Sequence, residues 1–193
     1  VGMGPSGLVL GGLLANYGIS VGIFEKKEST VTEPRAVSID DESLRTLQSF
    51  SVHQAVLKNV SQNYGSHYYD AKGKLFLKVE PNSFENGFFK RNAFDQPTFE
   101  KTLRKHLEKQ NNISINFSHT LASIKNETNR VTANFTDSMG SKKSFLAQYL
   151  VGCDGGQSTV RHLIGAIMKG SSFNQNWLVV DIYKTRNFLT ILS

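Results

Sequence analysis

A single cysteine, Cys153, stands in a chain of 193 residues, so no internal disulfide can form and the fold must be held by packing. That suits a reducing compartment, and a cytoplasmic location is the expectation. No stretch reaches the roughly 18 apolar residues of a membrane span, and no charged start with a following apolar segment marks a leader. Basic runs are missing as well. The 22 Lys and Arg are scattered among 16 Asp and Glu without a nucleic-acid motif. The net charge of +6 is therefore expected to be a solvated surface whose field attracts anionic small molecules, with no nucleic-acid partner. No metal site is expected. Sequons such as Asn112-Ile113-Ser114 and Asn134-Phe135-Thr136 read as chance spacings in an Asn-rich chain without a leader.

What the chain does have is a glycine pattern at its start, Gly2-x-Gly4-Pro5-x-Gly7, opening directly into an apolar helical segment. A dinucleotide pyrophosphate loop needs these glycines for distinct reasons. Gly2 allows the tight turn out of a strand, Gly4 lets the backbone approach phosphate oxygens, and Gly7 lets the helix lie close to the sheet. The helix N-terminus then offers unpaired N–H groups and a positive dipole end. Glycine spacing alone is weak evidence, and a Gly-rich turn without a nucleotide is the plain alternative. The context favours the loop: residues 7–17 predict a helix with Leu10, Leu13 and Leu14 near one face, Gly18 is a stop, and residues 21–24 predict a buried strand ending at Glu25. An acid there would accept hydrogen bonds from an adenosine ribose. The strand that should precede Gly2 is represented by Val1 alone and there is no initiator Met, so the sequence reads as a fragment.

A polar loop over 26–34 leads to Arg35, which taken alone is a surface charge, and then to a helix beginning at Asp40-Asp41-Glu42. Asp40 can cap it, Ile39 and Leu44 are placed as a hydrophobic staple, and Leu44, Leu47 and Phe50 give it a buried side. A short helix over 52–59 precedes a β-hairpin, residues 64–69 and 74–79, turned by Asp70 and Gly73. Its aromatic cluster could line a substrate cavity or pack across the strands. Pro97 fits the first helical position of a helix carrying Phe99, Leu103 and Leu107, which would put Gln96 at the N-cap. Strands over 113–117, 131–135 and around Phe145 then read as a β-meander inserted into an α/β framework.

Residues 149–151 predict an apolar strand running into Gly152-Cys153-Asp154-Gly155, with Ser158 able to cap a helix through Leu163 and Ile164. Asp154 would lie at a strand's C-terminal end, where open α/β sheets bind ligands, although an Asp-Gly pair is often only a turn. Cys153 lacks an obvious partner for nucleophilic chemistry, and buried packing suits it better. Residues 177–183 predict a further strand. The fold class is thus α/β: a Rossmann-like, GxGxxG-opened nucleotide domain over 1–172 with hairpin and meander insertions, and the start of a substrate-domain sheet over 173–193.

Three separated segments together resemble the class A FAD-dependent aromatic hydroxylases: Gly2-x-Gly4-Pro5-x-Gly7 with Glu25, residues 91–103 with Gln96, and Gly152-Cys153-Asp154-Gly155 with Ser158-x-Val160-Arg161. Within that family, Pro34-Arg35-Ala36, Ile39-Asp40-Asp41-Glu42-Ser43-Leu44-Arg45 and Trp177-Leu178-Val179-Val180-Asp181 look most like hydroxyphenylpropionate and related phenol hydroxylases. The resemblance implies that Gly2, Gly4, Pro5 and Gly7 cradle the FAD pyrophosphate, Glu25 holds the ribose, Arg35 and Gln96 contact FAD near its phosphates, and Asp154 with Gly155 serves the flavin and the nicotinamide approach. It implies a monooxygenase that uses NAD(P)H and O2 to hydroxylate a phenolic substrate. The family's third flavin segment, a Gly-Asp with a following Ala-x-His, is absent from this sequence, so no catalytic acid or base is named. The phenol, the choice between NADH and NADPH and any homo-oligomer stay open. So do two other readings: a flavin dehydrogenase or reductase with the same loop, and a non-catalytic nucleotide-binding remnant.

Overall fold

The computed structural model describes residues 1–30, 36–171, 175, 176 and 178. Arg35 and the expected strand over 177–183 lie outside the described residues, except for Leu178, as does nearly all of the expected second domain.

The first helix, α1 (Pro5–Asn16), starts with Pro5, whose missing N–H costs nothing in a first turn, and ends before Gly18 at φ +79°. Its buried face is not the leucine stripe that the sequence suggested. Gly7, Leu8, Gly11, Gly12 and Ala15 turn inward, while Leu10, Leu13 and Leu14 are only partly buried. Small residues win that face because they let the helix lie close to the next strand, β1 (Val21–Phe24).

The chain continues through β2 (Ser38–Asp40), α2 (Asp41–Gln48), α3 (His53–Leu57), β3 (Val60–Ser61) and the hairpin β4 (Ser66–Tyr69) and β5 (Leu75–Val79). Asp40 caps α2 as expected, its carboxylate accepting from Ser43 N–H at 2.8 Å. The hairpin turn closes with Gly73 N–H donating to the Asp70 carbonyl at 3.0 Å, while Asp70 Oδ1 accepts from Lys72 and Lys74. The hairpin aromatics do not line the main cleft; Tyr68 and Phe76 face each other across the strands with ring centres 6.4 Å apart.

β6 (Arg91–Phe94) lies between β2 and β3, antiparallel to both, with Ile39 opposite Asn92 and Val60 opposite Phe94. It leads into α4 (Gln96–Leu107) and β7 (Ile113–Asn116), which pairs parallel with β1 from Val21 opposite Ile113 to Phe24 opposite Asn116. The strand expected over 113–117 therefore belongs beside β1 and not to the meander. The antiparallel sheet is made by β8 (His119–Glu127), β9 (Arg130–Asp137) and β10 (Lys142–Ala147), in the order β10-β9-β8. β8 escaped the sequence reading because a bulge between Leu121 and Ser123 breaks its alternation and only Leu121 is buried.

Val1 joins these parts. Gly2 N–H donates to the Phe24 carbonyl at 2.8 Å, the Val1 amine to the Val151 carbonyl at 2.7 Å, and Cys153 N–H to the Val1 carbonyl at 2.6 Å. Residues 149–151 form no regular strand, since this pairing runs to a single residue. The last helix among the described residues is α5 (Thr159–Leu163), capped as expected by Ser158 accepting from Arg161 N–H at 3.0 Å.

Among the described residues, two apolar clusters hold the fold. The larger packs α1, α2 and α4 through Leu8, Leu44, Leu47, Phe50, Phe99, Leu103 and Leu107. The smaller joins Phe24 to Leu121, Ala133, Phe135 and Val160, with Phe24 stacked on Phe135 at 4.3 Å. Asn92, fully buried, ties β6 to its surroundings by donating to the carbonyls of Phe89 at 2.7 Å and Ile39 at 3.3 Å and accepting from Asn63 N–H.

Candidate cofactor cleft

A cleft of about 590 Å³ opens at the C-terminal end of β1, between the start of α1, residues 25–30, one face of α4, the start of β8 and residues 153–157. Seven predicted residues line it: Gly2, Gly4, Pro5, Glu25, Gln96, Asp154 and Gly155. Gly7 lies behind the loop.

The glycines at the cleft are required in different ways. Gly2 has φ +99°, and a Cβ there would stand 2.3 Å from the Cys153 carbonyl oxygen. A Cβ on Gly7 would stand 2.0 Å from the Gly2 carbonyl oxygen. Both positions are closed by the protein's own backbone. Gly4 differs: its φ of −73° suits any residue, and an added Cβ would meet nothing within 4 Å among the described residues. Gly4 is the N-cap of α1 and supplies no capping side chain, so the open first turn faces the cleft.

Glu25 is engaged with the loop it stands on. Its Oε2 accepts from Met3 N–H at 3.1 Å and its Oε1 from Lys27 N–H at 3.0 Å. The carboxylate thereby ties the glycine loop to the end of β1 while lining the cleft.

Gln96 is the first residue of α4 rather than its cap. Asp95 caps the helix, accepting from Thr98 N–H at 3.0 Å, and Pro97 follows within the first turn. Gln96 is buried; its Oε1 accepts from Ala36 N–H at 2.9 Å and its Nε2 donates to Glu100 at 2.8 Å.

Asp154 is likewise held by its neighbours. Its carboxylate accepts from the Ser158 hydroxyl and from the N–H groups of Thr159 at 2.6 Å and Val160 at 3.1 Å. Burial pushes this carboxyl up, but the hydrogen bonds from Ser158 and the backbone outweigh it and hold Asp154 below the usual range. Gly155 has φ +81°, and Arg161 donates to the Gly156 carbonyl at 2.9 Å, bracing the bend. Cys153 is half-buried in the same wall.

Two cleft residues were missed from the sequence. Glu100 is 2% exposed, and burial pushes its carboxyl up, partly offset by the hydrogen bond from Gln96. Arg104 donates through Nη1 to Thr30 Oγ1, lies 5.3 Å over the Phe117 ring and stands 3.7 Å from Glu108. The signal was present: Gln96, Glu100 and Arg104 recur at intervals of four and share one helix face.

A family model described as an FAD binding domain matches residues 1–191. The chain is 35% identical over 182 residues to the 3-(3-hydroxy-phenyl)propionate/3-hydroxycinnamic acid hydroxylase of Comamonas testosteroni, a match covering 94% of this chain and 31% of that protein. It is 36% identical over 182 residues to the enzyme of the same name from Mycolicibacterium gilvum (strain PYR-GCK), covering 94% and 32%. Among solved structures, p-nitrophenol 4-monooxygenase from Pseudomonas putida DLL-E4 matches with a TM-score of 0.81 at 25% identity, covering 89% of this chain and 44% of that one. The chain spans about a third of the length of these curated relatives.

Proposed function

This chain belongs to the FAD binding domain family, and on that premise we propose that it is the FAD-binding portion of a flavoprotein monooxygenase that hydroxylates a phenolic substrate with NAD(P)H and O2. The observation that carries the reading is Gly4: no contact among the described residues requires glycine there, and the space its missing side chain leaves lies at the open first turn of α1. A closely approaching anion supplies the missing reason. The residues fit the cofactor. Gly2 and Gly7 set the loop's shape, and Gly4 with Pro5 faces the pyrophosphate. Glu25, which lines the cleft, would accept hydrogen bonds from the ribose hydroxyls. Gln96 serves the phosphate side, and Asp154 with Gly155 serves the flavin and the nicotinamide approach; Arg35, outside the described residues, is assigned to the phosphate side on the sequence resemblance alone.

Bound FAD supplies the redox and oxygen-transfer chemistry. The chain's own part is to bind and orient it. Asp154 does so by holding the bend over 154–157 rigid, Glu25 by fixing Met3. The phenolic substrate is proposed from what the relatives are named for, and those names favour a hydroxylase over a dehydrogenase or reductase; NAD(P)H as reductant is proposed from the sequence resemblance alone. No helix among the described residues is long and apolar enough to cross a membrane. A cytoplasmic location is proposed from the single cysteine, which suits a reducing compartment.

The test is the visible absorption spectrum of the purified chain after FAD is added and the excess removed. A retained flavin band is expected. A folded chain that loses the band would overturn the assignment of this cleft to FAD.

A further inference from the structure

Glu100 carries a carboxylate into a place where it is 2% exposed, and the proposed function gives it no task. It stands one turn after Gln96 on α4, lines the same cleft, and accepts from Gln96 Nε2 at 2.8 Å. The opposite atom of that amide, Oε1, accepts from the backbone N–H of Ala36 at 2.9 Å, across 60 residues of sequence. Ala36 lies two residues before β2 begins at Ser38.

A glutamine amide presents almost the same shape when turned over, and only its hydrogen-bond partners decide its sense. Turned over here, it would set Oε1 against a carboxylate oxygen and Nε2 against the Ala36 N–H, acceptor against acceptor and donor against donor. Where water is largely excluded, such mismatches are costly. Burial holds the Glu100 carboxyl above its ordinary value and Glu25 adds to this, while the hydrogen bond from Gln96, with Arg104 and Lys27, offsets it in part.

We propose that Glu100 is a positioning residue of the FAD cleft: by accepting from Gln96 it locks that buried amide of the cleft lining in the sense that grips Ala36, and so ties the chain entering β2 to the cleft residue Gln96. Its consequence for cofactor affinity rests on the FAD reading above. The clasp itself is a matter of backbone order and can be measured without cofactor. Glu100 acts through Gln96 and is assigned no contact with FAD.

The test uses the purified chain and two variants at this position. Glu100→Met fills a similar volume without a strong acceptor, whereas Glu100→Gln restores a carbonyl oxygen that can accept from Gln96. Hydrogen exchange of the Ala36 amide is read without FAD, and the FAD dissociation constant by flavin fluorescence. Glu100→Met should speed Ala36 exchange and weaken FAD binding, each by about tenfold, and Glu100→Gln should return both to within about twofold of the parent. Added to Gln96→Ala, Glu100→Met should have little further effect, since the two act as one unit. Unchanged Ala36 exchange in Glu100→Met, failure of Glu100→Gln to restore it, or additive effects with Gln96→Ala would overturn the proposal. If the parent chain holds no FAD while Ala36 exchange still follows Glu100, the clasp stands and the FAD reading falls.

Discussion

Gly7 and Gly2 meet backbone to backbone: a Cβ on Gly7 would stand 2.0 Å from the Gly2 carbonyl oxygen, a distance no real Cβ tolerates. The first turn of α1 is seated on the loop that shapes it. Gly7→Ala must push helix and loop apart, so it should cost about 2 kcal/mol or more. Thermal unfolding of the chain without cofactor measures this, and an unchanged midpoint would refute the close seating.

Gly4 should behave in the opposite way. Gly4→Val places a side chain into open space at an ordinary backbone conformation, so the apo midpoint should stay close to the parent's. FAD affinity should fall by at least about tenfold if the pyrophosphate approaches this turn as proposed, because the side chain would stand in its way. A variant that binds FAD as well as the parent would remove the glycine loop from the site.

Asn92 makes a claim about the fold alone. It is fully buried, with donors on the Ile39 and Phe89 carbonyls and its oxygen on Asn63 N–H. Asn92→Leu has a similar volume but strands those three backbone groups, and should destabilise the chain by about 2–4 kcal/mol in urea unfolding. A loss under about 1 kcal/mol would show that water or relaxation satisfies them instead.

The first part of this architecture was legible because its signals are local. Gly2-x-Gly4-Pro5-x-Gly7, the Gly18 stop and the apolar run ending at Glu25 each follow from one residue's backbone freedom or burial. The capping carboxylate of Asp40 and the hairpin turn at Asp70 and Gly73 were legible for the same reason. Long-range pairing was not. Ile113–Asn116 looks the same from sequence whether it joins β1 or the meander, and only the parallel register with Val21–Phe24 decides it. The cap of α4 slipped by one residue because proline suits either of the first two helical positions, and Asp95 was the stronger acceptor. The hold of Gln96 on Ala36 was invisible for a further reason: the two are 60 residues apart and only the fold brings them together, whereas Glu100, one turn on along the same helix, was within reach of the sequence.

Glu100 also gives the fold a pH signature. Burial raises its carboxyl above the ordinary glutamate value, so the folded chain holds a proton that the unfolded chain gives up more readily. This group therefore subtracts stability as pH rises from the ordinary value through the raised one, and adds no slope outside that window. Glu100→Gln should lack the loss, so the variant should gain on the parent as pH rises to neutrality. Urea unfolding below and above the ordinary glutamate range measures it, and parallel pH profiles would show that Glu100 ionises at no extra cost.

Asp154 carries the opposite sign. Although burial opposes ionisation, hydrogen bonds from Ser158 and the N–H groups of Val160 and Thr159 hold its carboxyl below the ordinary aspartate value. The stabilisation is fully present above the unfolded value and disappears as pH falls through the lowered one. At neutral pH, Asp154→Ala leaves the Thr159 and Val160 N–H groups without their acceptor and should cost about 1 kcal/mol, the usual worth of a helix cap. In acid the parent and the variant should converge, because protonation removes the charge that the substitution has already deleted. The same variant loosens the bend that lines the cleft, so FAD retention at neutral pH should fall with it. Retention equal to the parent, alongside the stability loss, would make Asp154 a cap for α5 and nothing more.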